Sequence, residues 1–377
     1  MPEPKARPHL HALTGLRFFA ALHVVGFHLW RFDAWDAPVV VERFVRSGPV
    51  AVTLFFVLSG FVLTYTYADG TRLVTTTRSF LWARFARVYP VYLLGLLLSF
   101  PVVLALWSRA GGGAEALTSE LARGLAAGLL VQAHHPDLAL AWNPPAWSLS
   151  AEAFFYVLFP LLAPRVLACS RRSALVVGGV AVGVSLLASY GLALAADAAT
   201  DDRVQRLFVH AFKYHPLVRL PEFLLGVVAA RLFLDERGPP RVPATAWLVA
   251  LASLVVVALG LVPYALWHNA FLAPLFALVV VALASGPTTV GRALSCRALV
   301  KLGEASYALY ILHVPLLYWI AGVGERRTGE KVLERPAVAL VSLVVIVALS
   351  RLVFVAVEAP LRRWLRRAGE RAAPPFP

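Results

Sequence analysis

The stretch LTGLRFFAALHVVGFHLW, residues 13–30, carries ionisable side chains only at Arg17, His23 and His28. At about 1.5 Å rise per residue it is roughly 27 Å long as a helix, close to the ~30 Å of a bilayer's hydrocarbon core. Nine further apolar stretches of similar length follow, near 50–67, 81–107, 147–168, 173–195, 216–234, 245–263, 266–285, 299–321 and 337–358. The reading is an all-α, polytopic transmembrane helix bundle with about ten spans. A shorter run, LARGLAAGLLVQA at 121–133, contains Arg123 and is expected as an interfacial or re-entrant helix.

Composition supports this class over a soluble one. Of the 377 residues, 59% are hydrophobic and 15% charged, against about 25% charged in soluble domains. Mean hydropathy is +0.72. The net charge of +14 would suggest nucleic acid in a soluble protein. Here the basic residues sit in short segments between apolar spans, where topology and anionic lipid headgroups account for them, so no nucleic-acid partner is expected. Two cysteines, Cys169 and Cys296, are too few for a disulfide framework or a metal site. No small-residue cleavage site follows the first span, which is therefore expected to be retained.

Charge asymmetry orients the chain. With the N-terminus in the cytoplasm, ten spans place 20 basic residues inside and 13 outside, leaving Arg17 and Arg351 uncounted. An eleventh span would move the five tail arginines outside. The expected organisation is one membrane domain over 1–377, in the plasma membrane, with both termini cytoplasmic. Residues 108–146 form an extracytoplasmic loop and 359–377 a cytoplasmic tail. Membrane lipids are expected partners.

An ionisable group inside a span costs about 2.5–3.5 kcal/mol on insertion scales, so each is a candidate for function. They are Arg17, His23, His28, Glu152, Glu222, His313, Arg351 and Glu358. Arg17 and His28 are eleven residues apart, close to three turns, and so share a helix face about 16 Å apart in depth. Counting inward from Trp147 puts Glu152 at a depth similar to His28, where a carboxylate could orient the imidazole. His23 and His313 can equally be structural, bonded to a neighbouring carbonyl. Glu222 and Glu358, nearer span ends, read as capping or ion-pairing groups. Arg84 and Arg87 project from one side of a helix. They suit phosphate recognition and, equally, simple anchoring beside aromatic residues at the membrane surface.

Six blocks together resemble the membrane-bound acyltransferase family 3. They are LTGLRFFAALHVVGFHLW, GPVAVTLFFVLSGFVLTY, WARFARVYP, PAWSLSAEAFFYVLFP, LPEFLLG and LGEASYALYILHVPL, in that order over nearly the whole chain. The resemblance implies an enzyme that transfers an acyl group from acyl-CoA, a co-substrate rather than a bound cofactor, to a hydroxyl-bearing acceptor. It implies that His28 is catalytic with Glu152 as acidic partner, and that Arg17, Arg84 and Arg87 bind the donor. Trp147, Ser148, Ser150, Glu222, Tyr307 and His313 are further candidates for lining the site; no metal is expected. Family members acylate sugars of surface glycans, lipids or antibiotics such as macrolides. Many carry a hydrolase-like domain after the last span; here 19 residues follow Glu358, so functions needing that domain are not expected. The rival reading is a transporter or flippase of an acylated or glycosylated product, against which stands the lack of repeated halves or paired broken helices.

Overall fold

A computed structural model describes residues 7–32, 37–109, 111–235, 238, 260–286 and 288–371. Apart from a two-rung hairpin, Ala68–Asp69 with Arg72–Leu73, the regular structure is helical. The first half runs α1 (His11–Trp30), α2 (Val39–Arg46), α3 (Val50–Tyr67), α4 (Thr77–Arg109), α5 (Ala114–Gly128) and α6 (Trp147–Ala168). Then come α7 (Arg171–Ala198), α8 (Asp202–Tyr214), α9 (Pro216–Phe233), the short α10 (Tyr264–Trp267) and α11 (Ala273–Ala284). The chain finishes with α12 (Thr289–Leu294), α13 (Arg297–Glu304), α14 (Ser306–Thr328), α15 (Pro336–Val353) and α16 (Ala359–Arg371). A π-helical turn, Phe354–Glu358, links the last two.

Among the described residues, seven helices are long and apolar enough to cross a membrane. Against the ten expected, three differ. The 216–234 stretch is helical as α9 but holds Arg219, Glu222 and Arg231. The 266–285 stretch is broken into α10, a 3-10 turn at Ala270–Leu272 and α11. Most of 245–263 lies outside the described residues. The span expected at 299–321 starts instead at Ser306, because α13 ends at Glu304 and Ala305 separates the two helices.

The outward faces are greasy. Leu187 on α7 is 77% exposed and Leu97 on α4 is 62% exposed, as expected of surfaces solvated by lipid rather than water. Inside, α3 and α9 are pressed together. A Cβ on Gly60 would lie 2.0 Å from the Phe223 carbonyl, and one on Gly226 would lie 2.1 Å from the Val57 carbonyl. Small residues at such crossings let backbones approach closely where lipid offers no hydrophobic drive.

The connection from α5 to α6 is unlike a surface loop. Gln132, Ala133, Ala139, Ala141, Asn143 and Ala146 are all at most 1% exposed. Gln132 Nε2 donates to the Tyr92 hydroxyl and to the Ala146 carbonyl, each at 3.2 Å. Asn143 Nδ2 donates to the Ile311 carbonyl at 2.9 Å, and Ala133 N–H to Ser150 Oγ at 3.2 Å. Non-helical backbone is tolerated inside a membrane protein when it is satisfied in this way by its neighbours. α6 consequently begins within the bundle: Trp147 is 6% exposed.

Gly226→Ala should lower stability by about 1–3 kcal/mol, the usual cost of forcing a methyl into a packed contact. Scanning fluorimetry in detergent checks it, with Gly179→Ala, whose Cβ meets open space, as the control. Equal melting temperatures would mean that the α3–α9 contact is not this tight.

Candidate active site

Arg17 of α1, residues 84–88 of α4, the middle of α3, the start of α6 and the start of α14 line a half-open cavity of about 130 Å³, room for several waters or a short acyl group. Its polar lining comes from Arg17, Arg84, Arg87, Ser59, Ser148, Glu152, Tyr156, Ser306, Tyr307 and Tyr310, and its apolar wall from Phe55, Phe56 and Leu63 among others. The three arginines expected to act together therefore meet, although 67 residues separate Arg17 from Arg84.

Each cation is held differently. Arg84 Nη2 donates to the Tyr67 hydroxyl at 3.1 Å, and its guanidinium lies over the Tyr67 and Phe80 rings, while its Nε is buried without a hydrogen-bond partner among the described residues. Arg17 has Glu152 and Arg84 as charged neighbours. Arg87 forms an ion pair with Glu358 and lies 5.6 Å from the centre of the Tyr307 ring. The π turn delivers Glu358, which is 1% exposed: one extra residue in the helical repeat aims its carboxylate at α4 rather than outward. The ion-pairing role read for Glu358 from sequence is what the fold displays. Arg87 is a different matter, since its charge is already answered within the protein.

Glu152 and His28 do not pair. Ser59 Oγ donates to Glu152 Oε1 at 2.6 Å, with Tyr156 beside it. The carboxylate lies at the level of Arg17. The shared depth expected of Glu152 and His28 assumed that Trp147 marks the bundle surface. Because residues 132–146 sink inward, α6 starts deeper and Glu152 meets the other end of α1.

His28 meets α14 instead. Its Nδ1 lies 3.0 Å from the Val24 carbonyl and 3.1 Å from His313 Nε2, and His313 Nδ1 lies 3.2 Å from the Leu309 carbonyl. Carbonyls only accept, so in the neutral rings both Nδ1 atoms carry the proton. His313 Nε2 then accepts from His28 Nδ1–H, and His28 Nε2 keeps its lone pair. That is the protonation pattern of a general base with an orienting partner. The pair sits behind Tyr310, whose hydroxyl is 2.7 Å from Ser148 Oγ and whose ring is 6.1 Å from that of His313. Neither histidine lines the arginine cavity. His23 is structural: its Nε2 lies 2.7 Å from the Phe44 carbonyl, with the two rings stacked.

The other candidates divide. Ser148 and Tyr307 line the cavity, Tyr307 donating to the Val88 carbonyl at 2.6 Å. Trp147, Ser150 and Glu222 do not. Ser150 ties down the buried connection, donating to the Leu130 carbonyl at 2.7 Å. Glu222 pairs with Arg219 at 3.0 Å, both fully buried. Arg219 also donates to Asn269 Oδ1 at 2.5 Å and Thr53 Oγ1 at 3.1 Å, locking α9 to α3 and to the segment before α11. The i,i+3 spacing of Arg219 and Glu222 is the signal in the sequence for this pair. Ser59, Tyr156, Ser306 and Tyr310 carry no such signal, being ordinary residues in apolar helices.

The site is thus a half-open cavity with buried cations inside a bundle of apolar helices, with a histidine pair behind it. A family profile described as an acyltransferase domain matches residues 10–354. The chain belongs to this acyltransferase 3 family, and it is an enzyme that transfers acyl groups. It is 30% identical to the acyltransferase MdmB of Streptomyces mycarofaciens over 98% of this chain and 95% of that one. It is also 40% identical to protein 2 in the picA locus of Rhizobium radiobacter, over 25% of this chain and 46% of that protein. No solved structure matches it.

Arg87→Ala should destabilise the protein by about 3–5 kcal/mol, because it leaves Glu358 as an unpaired buried charge. Arg87→Ala/Glu358→Ala should recover most of that loss in a thermal melt. If the double variant melts no higher than the single one, the ion pair is not what holds α4 to the π turn.

Proposed function

We propose that this enzyme is an O-acyltransferase that takes its acyl group from acyl-CoA at the cytoplasmic face and passes it to a hydroxyl of a sugar, glycan, lipid or antibiotic. One observation carries the reading: Arg17, Arg84 and Arg87 converge on one half-open cavity whose wall at Tyr310 backs onto the His28–His313 pair. Arginine is the side chain best shaped for phosphate, and three in one apolar setting attract a polyanion strongly. Arg84 is the freest of them to grip a coenzyme A phosphate. Arg17, beside Glu152, orders the inner wall. Arg87 contributes field more than contact, since Glu358 already occupies it.

The acyl thioester extends from the arginines past Tyr310. His28 Nε2 takes the proton from the acceptor hydroxyl as that oxygen attacks the thioester carbonyl. The carbon–sulfur bond breaks, the coenzyme A thiolate leaves and is protonated, and the ester is released. His313 positions the imidazole in place of the carboxylate expected from sequence. Glu152 belongs to the donor half of the site.

The topology in this reading has ten spans in the plasma membrane with both termini cytoplasmic. It adds α9, the broken 266–285 stretch and the apolar 245–263 segment to the seven clear spans. α9 can cross despite its charges because Arg219 and Glu222 neutralise each other out of contact with lipid. The two cysteines then lie on the cytoplasmic face. A membrane-impermeant maleimide should label Cys296, which is exposed, only after cells are permeabilised. Labelling in intact cells would invert the topology.

Binding and turnover test the chemistry. With acetyl-CoA as probe, Arg84→Ala should weaken binding at least tenfold in a well-folded preparation, whereas His28→Ala should bind normally and release no thiol above background. Normal thiol release by His28→Ala would remove the histidine from its role. A folded wild type that binds no acyl-CoA would favour transport of an acylated product instead.

A further inference from the structure

A second cavity, about 400 Å³, lies between α4, α5, the 140–144 stretch and α14, and shares no lining residue with the arginine cavity. Its volume falls within the ~300–1,000 Å³ of ligand pockets. We infer that this cavity binds the sugar ring of the acceptor, an inference that rests on the acyl-transfer reading above.

The lining states the chemistry. Trp107, Trp142 and Tyr318 present aromatic surface, and Glu120 with Arg123 presents a single ion pair at 3.5 Å. The Trp107 indole N–H and Arg123 Nε are buried donors with no acceptor among the described residues. A buried indole N–H ordinarily finds a partner, so a ligand oxygen is the natural occupant. A neutral sugar offers apolar C–H faces for the rings, hydroxyl oxygens for these two donors and hydroxyl protons for Glu120. A phospholipid headgroup fits less well, because its phosphate would meet one cation that a carboxylate has already neutralised.

The platform is shaped in advance. Trp142 has φ 61°, a left-handed conformation rare outside glycine and costly unless its surroundings enforce it. Its indole N–H donates to the Glu120 carbonyl at 3.3 Å. The ring lies so close to α5 that a Cβ on Gly124 would come within 2.3 Å of it. Strain accepted to hold an aromatic face at a cavity wall is what a binding platform needs.

The cavity is also in the right place. Tyr318 is five residues beyond His313 on α14, roughly 7.5 Å along the helix axis. Phe32, one turn past His28, packs edge-on against Tyr318 with ring centres 6.3 Å apart. A ring seated here lies past His28 and His313 along α1 and α14, on the side away from the arginine cavity.

The protein in phosphatidylcholine nanodiscs, free of glycoside detergent, is titrated with hexyl glucoside and, separately, with hexylphosphocholine, and amide hydrogen exchange is followed. Hexyl glucoside should slow exchange at 116–123 and 140–144, and hexylphosphocholine should not. Trp107→Phe, which keeps the ring and removes the N–H, and Arg123→Gln should each weaken the glucoside response about tenfold, equivalent to ~1.4 kcal/mol. Equal protection by hexylphosphocholine would make the cavity a lipid groove. Protection that survives both substitutions, or no protection by the glucoside, would also overturn the assignment. Acetyl-CoA binding on the same nanodiscs separates the two readings: donor binding without glucoside protection sinks the sugar site alone, and glucoside protection without donor binding sinks the donor reading alone.

Discussion

A guanidinium or carboxylate cannot be left facing hydrocarbon, and the bundle is arranged around that constraint. The cost of an unpaired charge in the membrane is several kcal/mol, so the helices that carry charges must turn them inward and find partners. Arg219 and Glu222 answer each other on one helix and recruit Thr53 and Asn269, which pins α9 against α3. Arg87 finds Glu358 across the bundle, and the π turn exists where that carboxylate has to point inward. Once these pairs are made, the glycines at the α3–α9 crossing allow the backbones to close on them. The cavity is what remains where three arginines converge and, among the described residues, two carboxylates, Glu152 and Glu358, stand near to balance them.

That imbalance gives the site its chemistry. Surplus positive charge in a half-open, largely apolar space attracts an anion, and Arg84 is braced by the rings of Tyr67 and Phe80 and by the Tyr67 hydroxyl rather than by an acid. The histidine pair follows the opposite principle. Its two rings are fixed by backbone carbonyls of their own helices, so tautomer and orientation are set without any charge. In the proposed reaction, anion binding and proton transfer thus occupy neighbouring but separate environments, with Tyr310 between them.

Much of this was legible in the residues. Apolar length marked the long helices, and charge inside apolar stretches marked Arg17, His28, Glu152 and His313 as candidates. The six ordered blocks pointed to the family to which the chain belongs. The i,i+3 spacing of Arg84 and Arg87 put both on one side of α4, and both line the cavity. Less was legible about partners. Glu152 was placed by counting inward from Trp147, which assumes that a polar, proline-bearing connection lies at the surface. Gln132 and Asn143 carry the hydrogen bonds that sink that connection into the bundle, and no periodicity announces them.

The sequence by itself determined that the chain is a helical membrane protein, which ionisable groups it must bury and what family of chemistry they serve. These follow from composition, hydropathy and ordered motifs, which are sums and patterns along one dimension. The tertiary structure decided who meets whom: His28 with His313, Glu152 with Ser59 near Arg17, Arg87 with Glu358. The physical reason is that hydropathy reports the cost of moving a segment out of water, whereas pairing depends on the depth at which each helix begins and the angle at which it crosses its neighbours. Those are set by buried turns, close glycine contacts and ion pairs between residues far apart in the chain.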